Sequence, residues 1–249
     1  MTRALRSSAY GALGMVVVLA VWQLLATTGT LGGALTAPTV VARVFGDAEE
    51  RSTLAQAAVA TGGEAVVGFG WSLLTAVVVG LLVTLVRPLR RGVDQLATIE
   101  SAIPFLSLAP IMLALVSREH VPAAMAAATA FFPLYVAVTA GLDAVSRSVA
   151  DLCTVLGASR IDTLIRARIP AGLPVIATGF KVGMPLAIVG AVIGEWFGSS
   201  DGVGPIMLAA MRGYQMPTMW AAVVATVLVA LVLYGVCALL EALVTHRFG

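Results

Sequence analysis

Charge is scarce in this sequence: 11% of its 249 residues are Asp, Glu, Lys or Arg, while 59% are hydrophobic. Soluble chains carry about 25% charged residues, so an ordinary water-soluble domain is excluded. Lysine occurs once, as Lys181, and a net charge of +2 leaves no basic surface for nucleic acid. The two cysteines, Cys153 and Cys237, lie too far apart for a metal-binding spacing or a disulfide framework, and read as small apolar residues in helices. The two histidines, His120 and His246, sit at opposite ends of the map, with no His-Glu-x-x-His pattern between them. No glycine-rich loop ends in Gly-Lys-Ser/Thr, because Val182 follows Lys181. The sequence therefore predicts no enzyme chemistry, no metal and no cofactor in this chain.

What is present is apolar sequence in long runs. Six stand out, at 9–26, 64–86, 99–116, 122–142, 174–197 and 219–244. They are continuous rather than alternating, which favours helices over a barrel, and only those two structures satisfy the backbone in lipid. The expectation is an all-α integral membrane protein of about six transmembrane helices, forming one transmembrane domain over 1–249. The first run follows Arg3 and Arg6 and resembles a signal peptide, with small residues near Ala34 and Ala37 for cleavage. Because the rest of the chain is itself membrane-embedded, it is read as a retained span.

Placing both termini in the cytoplasm puts Arg3, Arg6, Arg87, Arg90, Arg91, Arg147, Arg160, Arg166, Arg168, Lys181 and Arg247 inside. Only Arg43, Arg51, Arg118 and Arg212 then fall outside, 11 against 4 of the 15 basic residues. Glu64, Glu100, Lys181, Glu195 and Glu241 all fall near predicted span ends. Ion-coupled carriers usually place such groups at mid-membrane, so the energy source is expected outside this chain. The outer segment 39–60, after Pro38, is expected to form surface helices or a loose loop.

The longest inner connection is 143–173. Val145, Val149, Leu152 and Leu156 form an apolar stripe at helical spacing. Gly157 follows where a left-handed residue would end a helix. Ser159 and Asp162 have the spacing of an N-cap box, opening a second short helix over 160–168 that Pro170 would stop. The stripe either packs on its own bundle and the lipid headgroups or docks in a partner's groove.

This stretch, Asp151-Leu-Cys-Thr-Val-Leu-Gly157-Ala-Ser159 and then Ile169-Pro170, resembles the EAA loop of binding-protein-dependent ABC importer permeases. That motif reads Glu-Ala-Ala, three residues, Gly, nine residues, Ile, any residue, Leu, Pro. Gly157 and Pro170 keep its separation. Asp151 replaces the Glu, Leu152 and Cys153 the alanines, Ala167 the Ile, and Ile169 the Leu. Ile103-Pro104 with Leu108-Ala109-Pro110, Phe131-Phe132-Pro133, and Gly194-Glu195-Trp196 with Gly202-Val203-Gly204 resemble, in order, the third-span, fourth-span and fifth-span-end signatures of sulfonate, taurine and nitrate importer permeases. The chain departs at Ser101, where the family usually has Arg. It departs again at Ser117-Arg118-Glu119-His120, where the family usually has a glycine-rich turn.

The resemblance implies a type I ABC importer permease fold with a cytoplasmic coupling helix, in a bacterial inner membrane. It implies a homodimer with the pathway between two bundles, an extracytoplasmic solute-binding protein, and a separate ABC ATPase that binds ATP and Mg. Asp151, Leu152, Gly157, Ala158 and Pro170 would then belong to coupling. Pro104, Pro110, Pro133 and Pro185 would interrupt helices along the pathway, where Pro104, Ser107, Phe131, Phe132, Glu195 and Trp196 are candidates to meet solute. Ordinary helix packing is the alternative for each of these. The substrate would be a small organic solute such as a sulfonate, taurine or nitrate, or alternatively a vitamin precursor or heterocycle. A secondary carrier and a structural membrane protein are the rival classes.

Overall fold

The computed structural model describes residues 2–29 and 32–248, which are almost wholly helical. In chain order the helices are α1 (Thr2–Thr27), α2 (Pro38–Gly46), α3 (Ala48–Leu85), α4 (Arg87–Ala102), α5 (Phe105–Leu115) and α6 (Val121–Leu142). They continue with α7 (Arg147–Val155), α8 (Arg160–Thr163), α9 (Ile169–Gly198), α10 (Val203–Arg212) and α11 (Met216–Phe248). Among the described residues there is no strand.

Four helical stretches are long and apolar enough to cross a bilayer: Ala48–Leu85, Arg118–Leu142, Arg160–Gly198 and Met216–Phe248. A fifth crossing is available if α4 and α5 count as one span, bent by 103°. The predicted first span is shorter by this measure, with a described apolar part of Leu13–Thr27. α1 stands apart from the bundle, its apolar side chains exposed from Leu13 to Leu25. It is tied down near its end, where Trp22 packs at a tilt against Trp220 with ring centroids 5.3 Å apart and donates to the Thr36 carbonyl at 3.0 Å.

The core is built on α6, which packs most extensively on α9 and then on α3. Small residues let the α6 and α9 backbones approach closely. A Cβ on Gly172 would lie 2.5 Å from the Gly141 carbonyl oxygen, and one on Gly194 2.5 Å from the Pro122 Cα. Cβ atoms on Gly179 and Gly190 would overlap Ala137 and the Thr129 hydroxyl. Thr129 in turn donates to the Leu186 carbonyl across the seam at 2.8 Å. Ala130, Leu134, Ala187 and Ile188 are fully buried around it. The outward faces of α3 and α11 carry exposed Val66, Trp71, Leu74, Val78, Leu228, Leu231 and Val232, the composition that lipid accepts.

Several expectations change. The 39–60 segment is a short α2 followed directly by α3, which runs unbroken into the span. Asp47 makes that start possible by capping the Glu49 and Glu50 amides at 2.9 and 3.1 Å. Glu64 therefore lies inside a helix rather than at its end. Lys181 also lies inside α9, where it ion-pairs with Glu241 of α11 at 2.5 Å while Thr178 donates to the same carboxylate at 2.8 Å. Charge is thus present within the helices: Lys181 and Glu241 are paired, whereas one carboxylate oxygen of Glu64 is buried without a partner. Pro110, Pro133 and Pro185 sit inside continuous helices, and only Pro104 marks a real break.

Candidate functional site

The loop at one end of the bundle is ordered by local hydrogen bonds. Ser146 caps α7 at the Val149 amide, 3.4 Å away. α7 ends at Gly157, whose φ of +73° is a conformation that costs a side chain about 1–2 kcal/mol. The Ala158 amide donates to the Cys153 carbonyl at 2.9 Å and the Gly157 amide to Thr154 at 3.0 Å, the paired bonds of a glycine-ended helix. Ser159 and Asp162 then form a reciprocal capping box.

Pro170 does not stop the second helix. α8 continues through a π-turn over Leu164–Arg168, in which the Ile169 amide reaches back five residues to the Leu164 carbonyl, and then into α9. A proline lacks an amide hydrogen and crowds the carbonyl four residues back. The wider turn just before Pro170 accommodates both, so one helical rod joins Arg160 to Gly198.

The apolar stripe of this loop is not covered by its own bundle. Leu152 is 55% exposed, Val155 83% and Leu156 75%, with Val149 also exposed. Asp151 and Ala158 face a polar groove of about 370 Å³ that Arg87, Arg160 and Arg168 also line. Among the described side chains Asp151 has no hydrogen-bond or ion-pair partner. The structure thus brings Asp151, Leu152, Gly157 and Ala158 together on one loop. Pro170 sits apart, in the first turn of α9.

The opposite end of the rod carries Glu195, which is 1% exposed. Its Oε2 accepts the Gly204 amide at 2.6 Å, and Thr61 accepts the Val203 amide at 3.0 Å. These two side chains hold the start of α10, a helix the sequence reading missed. Gly202, at φ +107°, lies so close that any Cβ there would overlap the Glu195 carboxylate. Glu195 therefore anchors backbone rather than facing open solvent. Trp196 and Phe197 are partly exposed beside it, in a cavity of about 740 Å³ that Glu64, Arg118, Asp201 and Arg212 also line.

The remaining pathway candidates lie elsewhere. Pro104 and Ser107 are exposed at the α4–α5 bend. Phe131 and Phe132 are half-buried on α6, with Phe131 stacked on Tyr135 at 5.8 Å. The six candidates thus form three separate groups. Glu100, marked in the sequence only as a charge near a span end, lies in the last turn of α4 with both carboxylate oxygens buried and without a partner. Its position three residues before Ile103-Pro104 was the available signal.

Residues 72–246 match the family described as the binding-protein-dependent transport system inner membrane component. The chain belongs to that family. Similar proteins include a probable ABC transporter permease protein of Haemophilus influenzae, 29% identical over 88% of this chain and 89% of that one. The riboflavin transport system permease protein RibX of Chloroflexus aurantiacus is 28% identical over 98% and 93%. The formylaminopyrimidine transport permease protein ThiX of Halalkalibacterium halodurans is 28% identical over 62% of each. The solved structure of the MetNI methionine ABC transporter, in inward-facing form, shares the fold, with TM-score 0.68, 16% identity, and coverage of 80% of this chain and 99% of that one. This permease is therefore a multi-pass inner-membrane subunit of an ABC transporter, and ATP hydrolysis belongs to a separate ATPase.

Proposed function

We propose that this permease forms the solute pathway of an importer as a homodimer and couples to its ATPase through the 143–173 loop, with both termini cytoplasmic. The observation that carries the reading is the exposed stripe of Leu152, Val155 and Leu156 on a loop whose turn and caps are fully formed. An ordered apolar helix facing water needs a partner, and a helix laid in a groove is a common way of meeting one. The distribution of Arg residues supports the cytoplasmic side for this end. The opposite end, with α10 and the cavity beside Trp196, is the face for an extracytoplasmic solute-binding protein.

The rod from Arg160 to Gly198 supplies the mechanism. Displacement of α7 and α8 by the ATPase is carried through the π-turn into α9, and by α9 to Glu195, which holds α10. For substrate, a small organic solute is the broad class. Relatives named for formylaminopyrimidine and riboflavin, at 28% identity, stand above a putative aliphatic sulfonate permease of Bacillus subtilis at 23%. A nitrate import permease of Leptolyngbya laminosa matches at 26% over only 55% of this chain. That ranking favours a heterocycle or vitamin precursor over a sulfonate, taurine or nitrate. Uptake assays with the reconstituted importer, offering a pyrimidine, riboflavin, taurine and nitrate in turn, test it. Uptake of taurine alone would reverse the ranking, and uptake that needs no ATPase would reject the importer reading.

A further inference from the structure

A chain of polar contacts leads away from the π-turn, and the coupling reading above leaves it unused. Arg168 closes that turn. Its Nη1 donates to the Leu142 carbonyl at 3.3 Å and lies 3.5 Å from Asp143 Oδ1. Asp143 follows the last residue of α6, and its other oxygen takes Arg90 Nη2 at 2.6 Å. Arg90 Nε lies 3.7 Å from Asp94 Oδ2, one turn along α4. The other oxygen of Asp94 accepts the Tyr135 hydroxyl at 2.5 Å. Tyr135 is 2% exposed and stacks on Phe131.

Each carboxylate in this chain serves two neighbours, one through each oxygen. Two arginines balance two aspartates, so the set carries no net charge. The ion-pairing side chains are 24–47% exposed, and pairs so placed contribute little to stability. A need to satisfy the buried Tyr135 hydroxyl explains Asp94 but neither Asp143 nor Arg168. The arrangement joins three elements: the π-turn, the end of α6, and the first half of α4, the helix that leads to the 103° bend.

We infer that Arg168, Asp143, Arg90, Asp94 and Tyr135 form a relay that transmits displacement of the coupling loop to Phe131 on α6. They are positioning residues, and the inference rests on the reading of 143–173 as the ATPase-docking loop. Its physical content is a second route beside the α9 rod, running to mid-α6 rather than to Glu195.

The test uses the permease–ATPase complex in nanodiscs, with ATP and vanadate as the probe. Hydrogen exchange is followed at 147–163 and at 131–146, before and after nucleotide trapping. In wild type both segments are expected to respond. In Asp143→Asn, and independently in Tyr135→Phe, the loop response is expected to persist while the α6 response falls by between about twofold and about thirtyfold. Asp143→Glu, which keeps the charge, is expected to recover most of it. Tyr135→Phe removes one hydroxyl and guards against a folding failure in the other variant. An unchanged α6 response in both variants, or no recovery in Asp143→Glu, overturns the relay. Gly157→Arg separates the two ideas: if it retains the ATPase, the docking reading fails, while the relay is still decided by the α6 response.

Discussion

The α6–α9 seam and the 147–163 loop are joined by one helix, yet they treat apolar side chains in opposite ways. At the seam Ala130, Leu134, Ala187 and Ile188 are at most 1% exposed, and glycines bring the backbones together. In the loop Leu152, Val155 and Leu156 are each more than half exposed, although every cap around them is formed. The seam is complete within one chain. The loop has its local structure but lacks its cover. That difference separates what folds the permease from what it presents to a partner.

The largest effect should come from breaking the seam. Gly179→Val drives a side chain into Ala137, and overpacking of this kind costs about 1–3 kcal/mol. Thermal unfolding in detergent should show a clear drop for this variant. Leu156→Glu attacks only the loop. Its unfolding should match wild type, while ATPase retention falls by about thirtyfold, as for a central interface residue. Equal loss of stability in both variants would erase the contrast.

Glu195→Ala probes the far end of the rod. It strands the buried Gly204 amide at a cost of about 1–3 kcal/mol. Faster hydrogen exchange confined to α10 is expected, and exchange spread over α6 would show that Glu195 belongs to the seam instead. Ser159→Ala should have the smallest effect, about 1 kcal/mol of local helix stability from a lost cap. It should weaken ATPase retention slightly and leave the unfolding temperature unchanged.

The loop was the most legible part of this sequence, because caps and glycine turns are local. Ser159 with Asp162, and Gly157 at positive φ, were readable from spacing alone. The helical runs were legible from composition, but their lengths were not. Leu54, Ala57 and Val59 are scattered among the polar residues of 48–63 without forming a long apolar run, so the run at 64–86 marks only the later part of α3 and leaves the Asp47 cap unmarked. Pro170 misled because a proline's effect depends on whether a π-turn precedes it, which sequence spacing does not reveal. α10 was missed because ten residues between two loops show little periodicity, and its anchor, Glu195, lies in a different helix. The pathway candidates were least legible. Solute contact depends on which faces of α5, α6 and α9 meet a cavity, and that is set by tertiary packing.

The most direct test of the account is co-purification of this permease with its ATPase, comparing wild type with Gly157→Arg. The variant places a side chain at φ +73° on the turn between α7 and α8, where open space surrounds it and the seam is untouched. The account predicts loss of the ATPase with an unfolding temperature near that of wild type, because the strain of about 1–2 kcal/mol falls on the loop and not on the seam. Retention of the ATPase by the folded variant at the wild-type level would contradict the claim that this loop is where the two subunits meet.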